Sequence, residues 1–223
     1  MISVAVMAHP KRRRDVEKLL PRLGGPAVVV WDQRNSVWDT GRRSLLAYDP
    51  KASHHLVIQD DAMIRRDLAA TCQRIIAHVP PDVPVSLYMG RWRYRPRRYA
   101  MSQVVDAGRA TGASFAVFGG PWWGVGIMLP TSDIEAVVAY GDENPKNEPN
   151  YDLRIAQFYA GKGIDCWYTL PSIVEHRGGP SLVGRKGQRR HAAWFSEGSL
   201  ADLSWNGGAL AAAEVLPRFP RTP

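Results

Sequence analysis

Short apolar runs alternate along the chain with segments in which apolar residues recur every three or four positions. Runs of the first kind are typical of strands buried in a sheet, and segments of the second kind are typical of helices that cover a sheet. The predicted strands are residues 2–8, 27–31, 55–59, 85–89, 114–118, 125–129 and 166–169. The predicted helices are residues 14–23, 40–48, 63–78, 100–111, 132–140 and 151–161.

The order of these elements predicts an α/β fold. Residues 2–31 form a strand, a helix and a second strand, with a Gly-Gly-Pro turn at residues 24–26 before the second strand. Three prolines between residues 80 and 84 end the helix that precedes the fourth strand. Strands and helices in this alternation are typical of nucleotide-binding sheets, so we expect the N-terminal half to be Rossmann-like.

Composition narrows the class of protein. The chain has 223 residues, 45% of them hydrophobic, which is enough for the core of one domain. Its 29 basic and 21 acidic residues give a formal net charge of +8, which favours partners that carry phosphate or many negative charges. The segment from residue 196 to residue 223 is rich in Gly, Ala and Pro, and we expect it to be a loosely attached tail.

Cysteine usage and the N-terminal residues indicate a compartment. Cys72 and Cys166 are too few for a disulfide framework and both lie in apolar segments, which fits a reducing cytoplasm. The basic cluster at residues 11–14 follows the apolar residues 1–8, the reverse of a secretory signal, and no apolar run approaches the length of a membrane span. We expect a cytoplasmic protein. The oligomeric state is not indicated by the sequence.

Two adjacent carboxylates at the end of the third predicted strand are the strongest candidates for chemistry. The apolar run that starts at His55 ends at Gln59, Asp60 and Asp61. Open α/β sheets bind ligands at the carboxyl ends of their strands. A Mg²⁺ or Mn²⁺ ion would relieve the repulsion between the two acids and leave coordination positions for a substrate phosphate. Alternatively, one of the acids caps the helix predicted from Met63.

Several segments, taken together, resemble those of GT-A-fold glycosyltransferases, in particular small phage and bacterial enzymes with a Pro-Ser-hydrophobic-x-x-His signature near the C-terminus. The similarity spans roughly residues 1–185 and is most discriminating at residues 169–181. The segments are the N-terminal α/β unit, the acid pair within residues 55–62, residues 123–130, the helix start at Tyr151-Asp152, and residues 169–181, which contain Pro171-Ser172-Ile173-Val174-Glu175-His176.

The resemblance implies a GT-A-like single domain over residues 1–195, with a mixed sheet, that transfers a sugar from a nucleotide-diphosphate donor to a hydroxyl group with inversion. It implies a Mn²⁺ or Mg²⁺ cofactor held by Asp61 and His176. Gln59 stands where the family has the acidic first member of an Asp-x-Asp-type motif. Asp152 takes the position of the catalytic base, although the dipole of the helix would equally explain an acid in its first turn. Glu148 is the nearest substitute for that base.

Nucleotide contacts are expected at the ends of the first strands, where a carboxylate accepts from a base or ribose and an arginine meets phosphate. A basic loop after His176 is expected to close over the diphosphate once the donor is bound. At least two of the four charges at residues 11–14 are interpreted as solvated helix charges only. The expected donor-binding residues are Ala8, His9, Pro10, Arg12, Asp32, Arg43, Asp60 and Arg185.

An unusual basic segment indicates the acceptor. Residues 91–99 interleave five arginines with three aromatic residues, and an extended conformation would place Arg91, Arg93 and Arg95 on one face. Arginines neutralise phosphates, and aromatic rings stack on bases or sugars. The expected acceptor-binding residues are Arg91, Trp92, Arg93, Tyr94, Trp122, Trp123 and Gly124.

The identity of the acceptor stays open at this point. A hydroxymethylated pyrimidine in phage DNA fits the basic segment, and so does a protein or glycan acceptor, or a lid over the donor diphosphate. Trp122 and Trp123 are equally consistent with core packing. A non-catalytic nucleic-acid-binding protein on the same scaffold is the alternative of a different class. Nucleotidyl transfer is a third option, which the absence of a P-loop motif does not exclude.

Overall fold

The computed structural model describes residues 1–91, 95–144, 150–178 and 191–215, with residues 95–97 described by their backbone alone. The strands are β1 (Ile2–Ala8), β2 (Val28–Trp31), β3 (His54–Gln59), β4 (Ala62–Ile64), β5 (Val85–Ser86), β6 (Phe115–Phe118), β7 (Gly126–Pro130), β8 (Cys166–Thr169), β9 (Val174–His176) and β10 (Ala209–Ala211). The α-helices are α1 (Arg13–Leu23), α2 (Val37–Leu45), α3 (Leu68–Ile75), α4 (Arg95–Thr111), α5 (Ile134–Glu143), α6 (Tyr151–Gly161) and α7 (Ala212–Val215). Short 3-10 turns lie at Pro10–Arg12, Thr131–Asp133 and Leu200–Asp202.

Eight strands form one mixed sheet in the order β10-β6-β8-β5-β7-β3-β1-β2. β1 pairs in parallel with β2 on one side and with β3 on the other. β7 runs antiparallel to both β3 and β5, while β4 and β9 form a separate two-stranded sheet. The predicted α/β class and mixed sheet are therefore confirmed. Because β2, β1 and β3 run parallel, the residues that follow them meet at one edge of the sheet.

Helices cover both faces of this sheet. On one face, α1 and α3 pack on β1 and β3 through residues such as Leu19, Leu56 and Ile75. On the other face, α2, α5 and α6 pack on β3 and β7 through residues such as Val57 and Ile155. A strand buried on both faces has an apolar centre, which explains the run Leu56-Val57-Ile58 in β3. A third cluster joins α4 to β6 and β8.

None of the helices in these described ranges is both long enough and apolar enough to cross a bilayer.

The helix predicted over residues 63–78 is the largest error of element assignment. Ala62–Ile64 forms β4, which pairs antiparallel with β9, and α3 begins only at Leu68. The residue before it, Asp67, has a left-handed φ of 63° that interrupts any helix from Met63. A three-residue strand is too short for its alternation to be distinguished from a helical turn, and its pairing partner lies far away in the sequence.

The extended conformation predicted for residues 91–99 is wrong from Arg95 onward, because α4 begins there. Pro96 is compatible with this start, since the first turn of a helix leaves its N–H groups without intrahelical partners. Residues 92–94 lie outside the described residues. The predicted arginine face at Arg91, Arg93 and Arg95 therefore does not continue into the helix.

The loosely attached tail is a wrong prediction for residues 196–215. β10 pairs in parallel with β6 and forms the edge of the main sheet. Leu200 and Trp205 are 2% and 3% exposed. At Gly207 a Cβ would lie 1.9 Å from the carbonyl oxygen of Gly112, so the small residue is needed for the close approach of the two chain segments. Composition alone does not distinguish a C-terminal segment that packs on the sheet from one that is loosely attached. Residues 216–223 lie outside the described ranges.

A buried histidine on β3 makes stability depend on pH. His55 is fully buried, and its Nε2 atom donates to the carbonyl oxygen of Ser44 at 2.8 Å while its Nδ1 atom accepts from the Ser3 hydroxyl at 2.8 Å. Burial lowers the pKa of His55, against these two hydrogen bonds, which raise it. Burial also lowers the pKa of the neighbouring His54.

We expect the free energy of unfolding to fall as the pH drops below about 6.5, because the unfolded chain then binds protons that the folded protein does not. Each such histidine contributes a slope of at most about 1.4 kcal/mol per pH unit. Urea unfolding between about pH 7.5 and pH 5.5 measures the slope. His55→Gln keeps a donor for Ser44 and should reduce the slope, whereas substitution of the exposed His78 by Gln should not. Equal slopes in wild type and His55→Gln would contradict this assignment.

Candidate functional site

The candidate site lies where the parallel strands end. His9 follows β1, Asp32 follows β2, and Asp60 and Asp61 follow β3. The Asp60 N–H donates to the Met7 carbonyl at 3.1 Å, and the Asp32 N–H donates to the Ala8 carbonyl at 2.6 Å. These backbone bonds hold the three strand ends together, so their polar side chains share one edge of the sheet.

His176 reaches this edge through the small β4–β9 sheet. Ala62 pairs with His176 in the antiparallel register, and the Arg177 N–H donates to the Asp61 carbonyl at 2.8 Å. As a result, His176 Nε2 lies 3.3 Å from Asp61 Oδ2, although the two residues are far apart in the sequence. The pair that we expected to share a site does lie side by side.

A guanidinium group lies between the two acids. Arg12 Nη1 donates to Asp60 Oδ1 at 2.8 Å and to Asp61 Oδ2 at 2.6 Å. The backbone N–H of His9 donates to Asp60 Oδ2 at 2.7 Å. Burial would lower the pKa of Arg12, but Asp61 and Asp60 together raise it above its ordinary value. Arg12 was expected to meet donor phosphate, and its pairing with both carboxylates was missed.

The two carboxylates differ electrostatically. Burial raises the pKa of Asp60, against the bonds from His9 and Arg12, which lower it. Burial would also raise the pKa of Asp61, but His176 and Arg12 outweigh it and lower that pKa below its ordinary value. Asp61 is therefore the acid that is held more firmly in its charged form.

Two buried atoms at this site have no hydrogen-bond partner among the described residues: Asp61 Oδ1 and His176 Nδ1. Leaving buried polar atoms unpaired costs free energy, so such atoms mark a place where a ligand would be stabilised. Asp61 Oδ2 and His176 Nε2 are 3.3 Å apart, close to the roughly 3 Å between adjacent ligands of a six-coordinate ion that binds at about 2.1 Å.

The donor set fits a divalent cation that is shared with substrate. A carboxylate oxygen with an imidazole nitrogen suits Mn²⁺ as well as Mg²⁺. Within the described ranges, no three His, Cys, Asp or Glu side chains are grouped to hold a metal by themselves. Ions of this kind are usually held by one or two carboxylates and complete their shell with water and substrate phosphate. Asp61 and His176 would be the protein ligands.

Asp32 is a charged acceptor at the end of β2. Its Oδ1 atom accepts from the Thr40 hydroxyl at 3.0 Å and from the backbone N–H of Arg34 at 3.2 Å. Burial raises the pKa of Asp32, but these bonds outweigh it and lower the pKa overall. Its Oδ2 atom lies 3.8 Å from His9 Nε2. The arrangement suits recognition of a hydroxyl or N–H donor, as the ribose or base of a nucleotide would supply.

Asp152 lies in the first turn of α6, where its Oδ1 atom accepts from the Leu153 N–H at 3.1 Å. Its neighbour Tyr151 is fully buried and donates its hydroxyl to the Gly124 carbonyl. Burial raises the pKa of Tyr151, and the charges of Asp152 and Asp61 raise it further. Both carboxylates therefore raise the pKa of the same phenol.

Other residues that were expected to bind the sugar donor make contacts within the protein instead. Arg43 donates to Asp39 Oδ2 and to the Trp31 carbonyl, each at 3.0 Å, so a phosphate contact would have to replace these bonds. Ala8 is buried at the end of β1 and contributes only its backbone carbonyl to Asp32. Pro10 starts the turn that carries Arg12. Arg185 lies outside the described residues.

The expected acceptor platform is corrected in part. Trp122 is 5% exposed and packs on Phe118 with ring centroids 5.3 Å apart, so it belongs to the core. Gly124 is buried under Tyr151, whose hydroxyl donates to the Gly124 carbonyl oxygen. Gly124 therefore has no exposed surface for an acceptor. Trp123 is partly buried and makes an edge contact with Tyr88 at 6.3 Å. A tryptophan beside a strand is more often packed than exposed.

Of the four expected acceptor-binding residues at positions 91–94, only Arg91 has a described position. Arg91 is exposed, and its backbone N–H donates to the His191 carbonyl at 3.2 Å. The other three, Trp92, Arg93 and Tyr94, lie outside the described ranges, as does Glu148, the alternative base.

Glu175 is a positioning residue that the sequence pattern did not assign. Its carboxylate is 7% exposed and accepts the backbone N–H of His176 at 2.7 Å and of Ala192 at 3.0 Å. These bonds join β9, which carries His176, to the chain segment that returns at residue 192. An acid directly after the apolar residues Ile173 and Val174 was the available signal, because acids are rarely buried without partners.

The chain matches no protein-family model, and no curated protein is a significant match to it. The geometry of the site therefore carries the functional proposal.

Proposed function

We propose that this protein is a metal-dependent glycosyltransferase that moves a sugar from a nucleotide-diphosphate donor to a hydroxyl acceptor with inversion. The proposal depends on one observation: Asp61, which follows β3, and His176, at the end of β9, lie 3.3 Å apart through Oδ2 and Nε2, and the second oxygen of Asp61, Oδ1, is buried without a partner among the described residues. The parallel group β2-β1-β3 within a mixed sheet supports a GT-A-like arrangement. The clustering of Arg12, Asp32 and Asp60 at the same edge supports a phosphate- and nucleoside-binding cleft.

Each residue of the site has a separate role in the proposed reaction. When bound, a divalent cation would offset the negative charge that builds on the leaving diphosphate. Asp61 and His176 would hold that ion, and Arg12 supplies a further positive charge at the same edge of the sheet. Asp32 accepts a hydrogen bond from the nucleoside and so orients the donor. The bond from the sugar to the diphosphate breaks as a bond to the acceptor oxygen forms.

Asp152 is the proposed base. It takes the proton of the acceptor hydroxyl as that oxygen attacks the sugar from the side opposite the diphosphate. Its place in the first turn of α6 favours the anionic form, because the helix N-terminus carries partial positive charge.

For the acceptor we propose a hydroxymethylated pyrimidine in DNA. The net charge of +8 and the exposed Arg91 and Arg98 favour a polyanion near the start of α4. The first turn of α4 holds no acidic residue, so the positive end of the helix dipole adds to this potential. A base within a duplex would have to be flipped out to reach the sugar.

The test of the proposed function is thermal unfolding with nucleoside diphosphates and metal. We expect UDP or GDP to raise the melting temperature by roughly 5–10 °C at about a hundredfold excess over its Kd, because ligands that bind the native state stabilise it. The rise should require Mn²⁺ or Mg²⁺, and AMP with the same metal is the control. Metal-independent, salt-sensitive DNA binding without any nucleotide effect would contradict the proposal and favour a non-catalytic nucleic-acid-binding protein.

A further inference from the structure

We propose that Arg12 is a resident cation that occupies the acid pair until a metal ion displaces it, and that the displaced guanidinium then meets the donor diphosphate. This inference rests on the proposed function. It goes further in making Arg12 and the metal alternative occupants of one place, so that the chain itself controls when the metal binds.

The first argument is that both cations would lie against the same carboxylate, that of Asp61. Asp61 Oδ2 accepts from Arg12 Nη1 at 2.6 Å and lies 3.3 Å from His176 Nε2. An ion held by the Asp61 carboxylate and His176 would lie beside the guanidinium, with two like charges in a poorly hydrated site. Such an arrangement is unfavourable, so one cation excludes the other.

The second argument is that the acid pair needs a counter-charge at all times. Asp60 and Asp61 are 5% and 9% exposed, and an uncompensated buried charge destabilises a fold strongly. Arg12 bonds to both acids through a single nitrogen atom. In the metal-free protein Arg12 therefore neutralises the two carboxylates, as the metal ion would after the exchange. The negative charge of Asp60 and Asp61 is then balanced in both states.

The third argument concerns the place of Arg12 in the chain. Its backbone lies at the end of the 3-10 turn Pro10–Arg12, where its N–H donates to the His9 carbonyl at 2.8 Å. Its side chain is 19% exposed, so it is only partly buried. A long side chain on a fixed turn can exchange partners there without a change in the fold.

The exchange predicts coupling between the two ligands. Metal alone must displace the guanidinium from both acids, whereas metal with a diphosphate also brings an anion for that guanidinium to bind. Each ligand should therefore raise the affinity for the other, and thermodynamic linkage makes the effect reciprocal.

The test is a Mn²⁺ titration of the full chain without nucleotide, with free Mn²⁺ read by electron paramagnetic resonance. Arg12→Ala should bind Mn²⁺ at least about tenfold more tightly than wild type, since no guanidinium has to leave. Arg14→Ala removes the same charge two residues away, at an exposed position, and should bind like wild type. Asp61→Asn should lose the binding in both the wild-type and the Arg12→Ala background.

Folding is controlled separately, because Arg12→Ala leaves two buried acids without a counter-charge. Far-UV circular dichroism checks the fold, and Arg12→Gln, which keeps hydrogen-bond donors without charge, is the second variant. For both variants the thermal stabilisation by Mn²⁺ should exceed that of wild type.

The outcomes separate the two proposals. If wild type binds Mn²⁺ and the folded Arg12 variants bind it equally or more weakly, the exchange is refuted and the proposed function stands. If wild type and the Arg12 variants all fail to bind Mn²⁺ at millimolar concentration, the metal-dependent function itself is refuted. Tighter binding by Arg12→Ala and Arg12→Gln, but not by Arg14→Ala, supports the exchange.

Discussion

Asp61→Asn should lower the release of nucleoside diphosphate from a nucleotide sugar by about a thousandfold, the order of magnitude for removing one electrostatic contact to a transition state. Asn has the shape of Asp but not its charge, so the cation loses its anionic ligand and the leaving diphosphate loses its compensation. The measurement is a panel of nucleotide sugars incubated with Mn²⁺, with product quantified over time. Circular dichroism checks that the variant is folded.

Two further variants test whether the loss of turnover is specific to the carboxylate of Asp61. Asp142→Asn removes a carboxylate that pairs with Arg42 at 2.8 Å outside the site, and it should leave turnover unchanged. Asp152→Asn should lower turnover by about a hundredfold to ten-thousandfold while Mn²⁺ binding stays at the wild-type value, because a base acts on the acceptor and not on the ion. Wild-type turnover in Asp61→Asn would place the chemistry elsewhere in the molecule.

Trp205→Ala should lower the free energy of unfolding by about 3–5 kcal/mol, the usual cost of truncating a large buried aromatic residue. Trp205 is 3% exposed, and its ring centroid lies 5.7 Å from that of Phe115 on β6. The substitution removes this contact and leaves a cavity beneath the edge formed by β10. Urea unfolding followed by circular dichroism measures the loss.

The control for Trp205 is Tyr99→Ala on α4. Tyr99 is 67% exposed, so its truncation should change the free energy of unfolding by less than about 0.5 kcal/mol. If Trp205→Ala cost no more than Tyr99→Ala, residues 196–215 would behave as the loosely attached tail that their composition indicated.

Elements with a strong local pattern were predictable. α6 begins at Tyr151 and ends at Gly161 as expected, and α1 ends at Leu23, before Gly24 with its left-handed φ of 74°. Helices of this kind depend on periodicity and on residues at their ends, which are local properties. The short strand β4 was not predictable, because three residues carry too little pattern and its partner β9 lies far along the chain.

The candidate site was likewise predictable from the sequence only in part. The acids at 60 and 61 follow an apolar strand, and that position is visible in the sequence. The approach of His176 to Asp61 followed from the resemblance and agrees with the geometry, at 3.3 Å. The roles of Glu175 and of Arg12 between the acids were not visible, since each depends on contacts between distant segments.

By itself the sequence determined the α/β class, the unbroken apolar strands and the carboxylates at the end of β3, because burial on two faces and the periodicities of strand and helix act over a few neighbouring residues. Only the tertiary structure decided that β4 pairs with β9, that Arg12 lies between Asp60 and Asp61, and that β10 pairs with β6 at the edge of the main sheet. These features depend on distances between segments that are remote in the chain. Such distances are set by strand order and register, which local pattern does not specify.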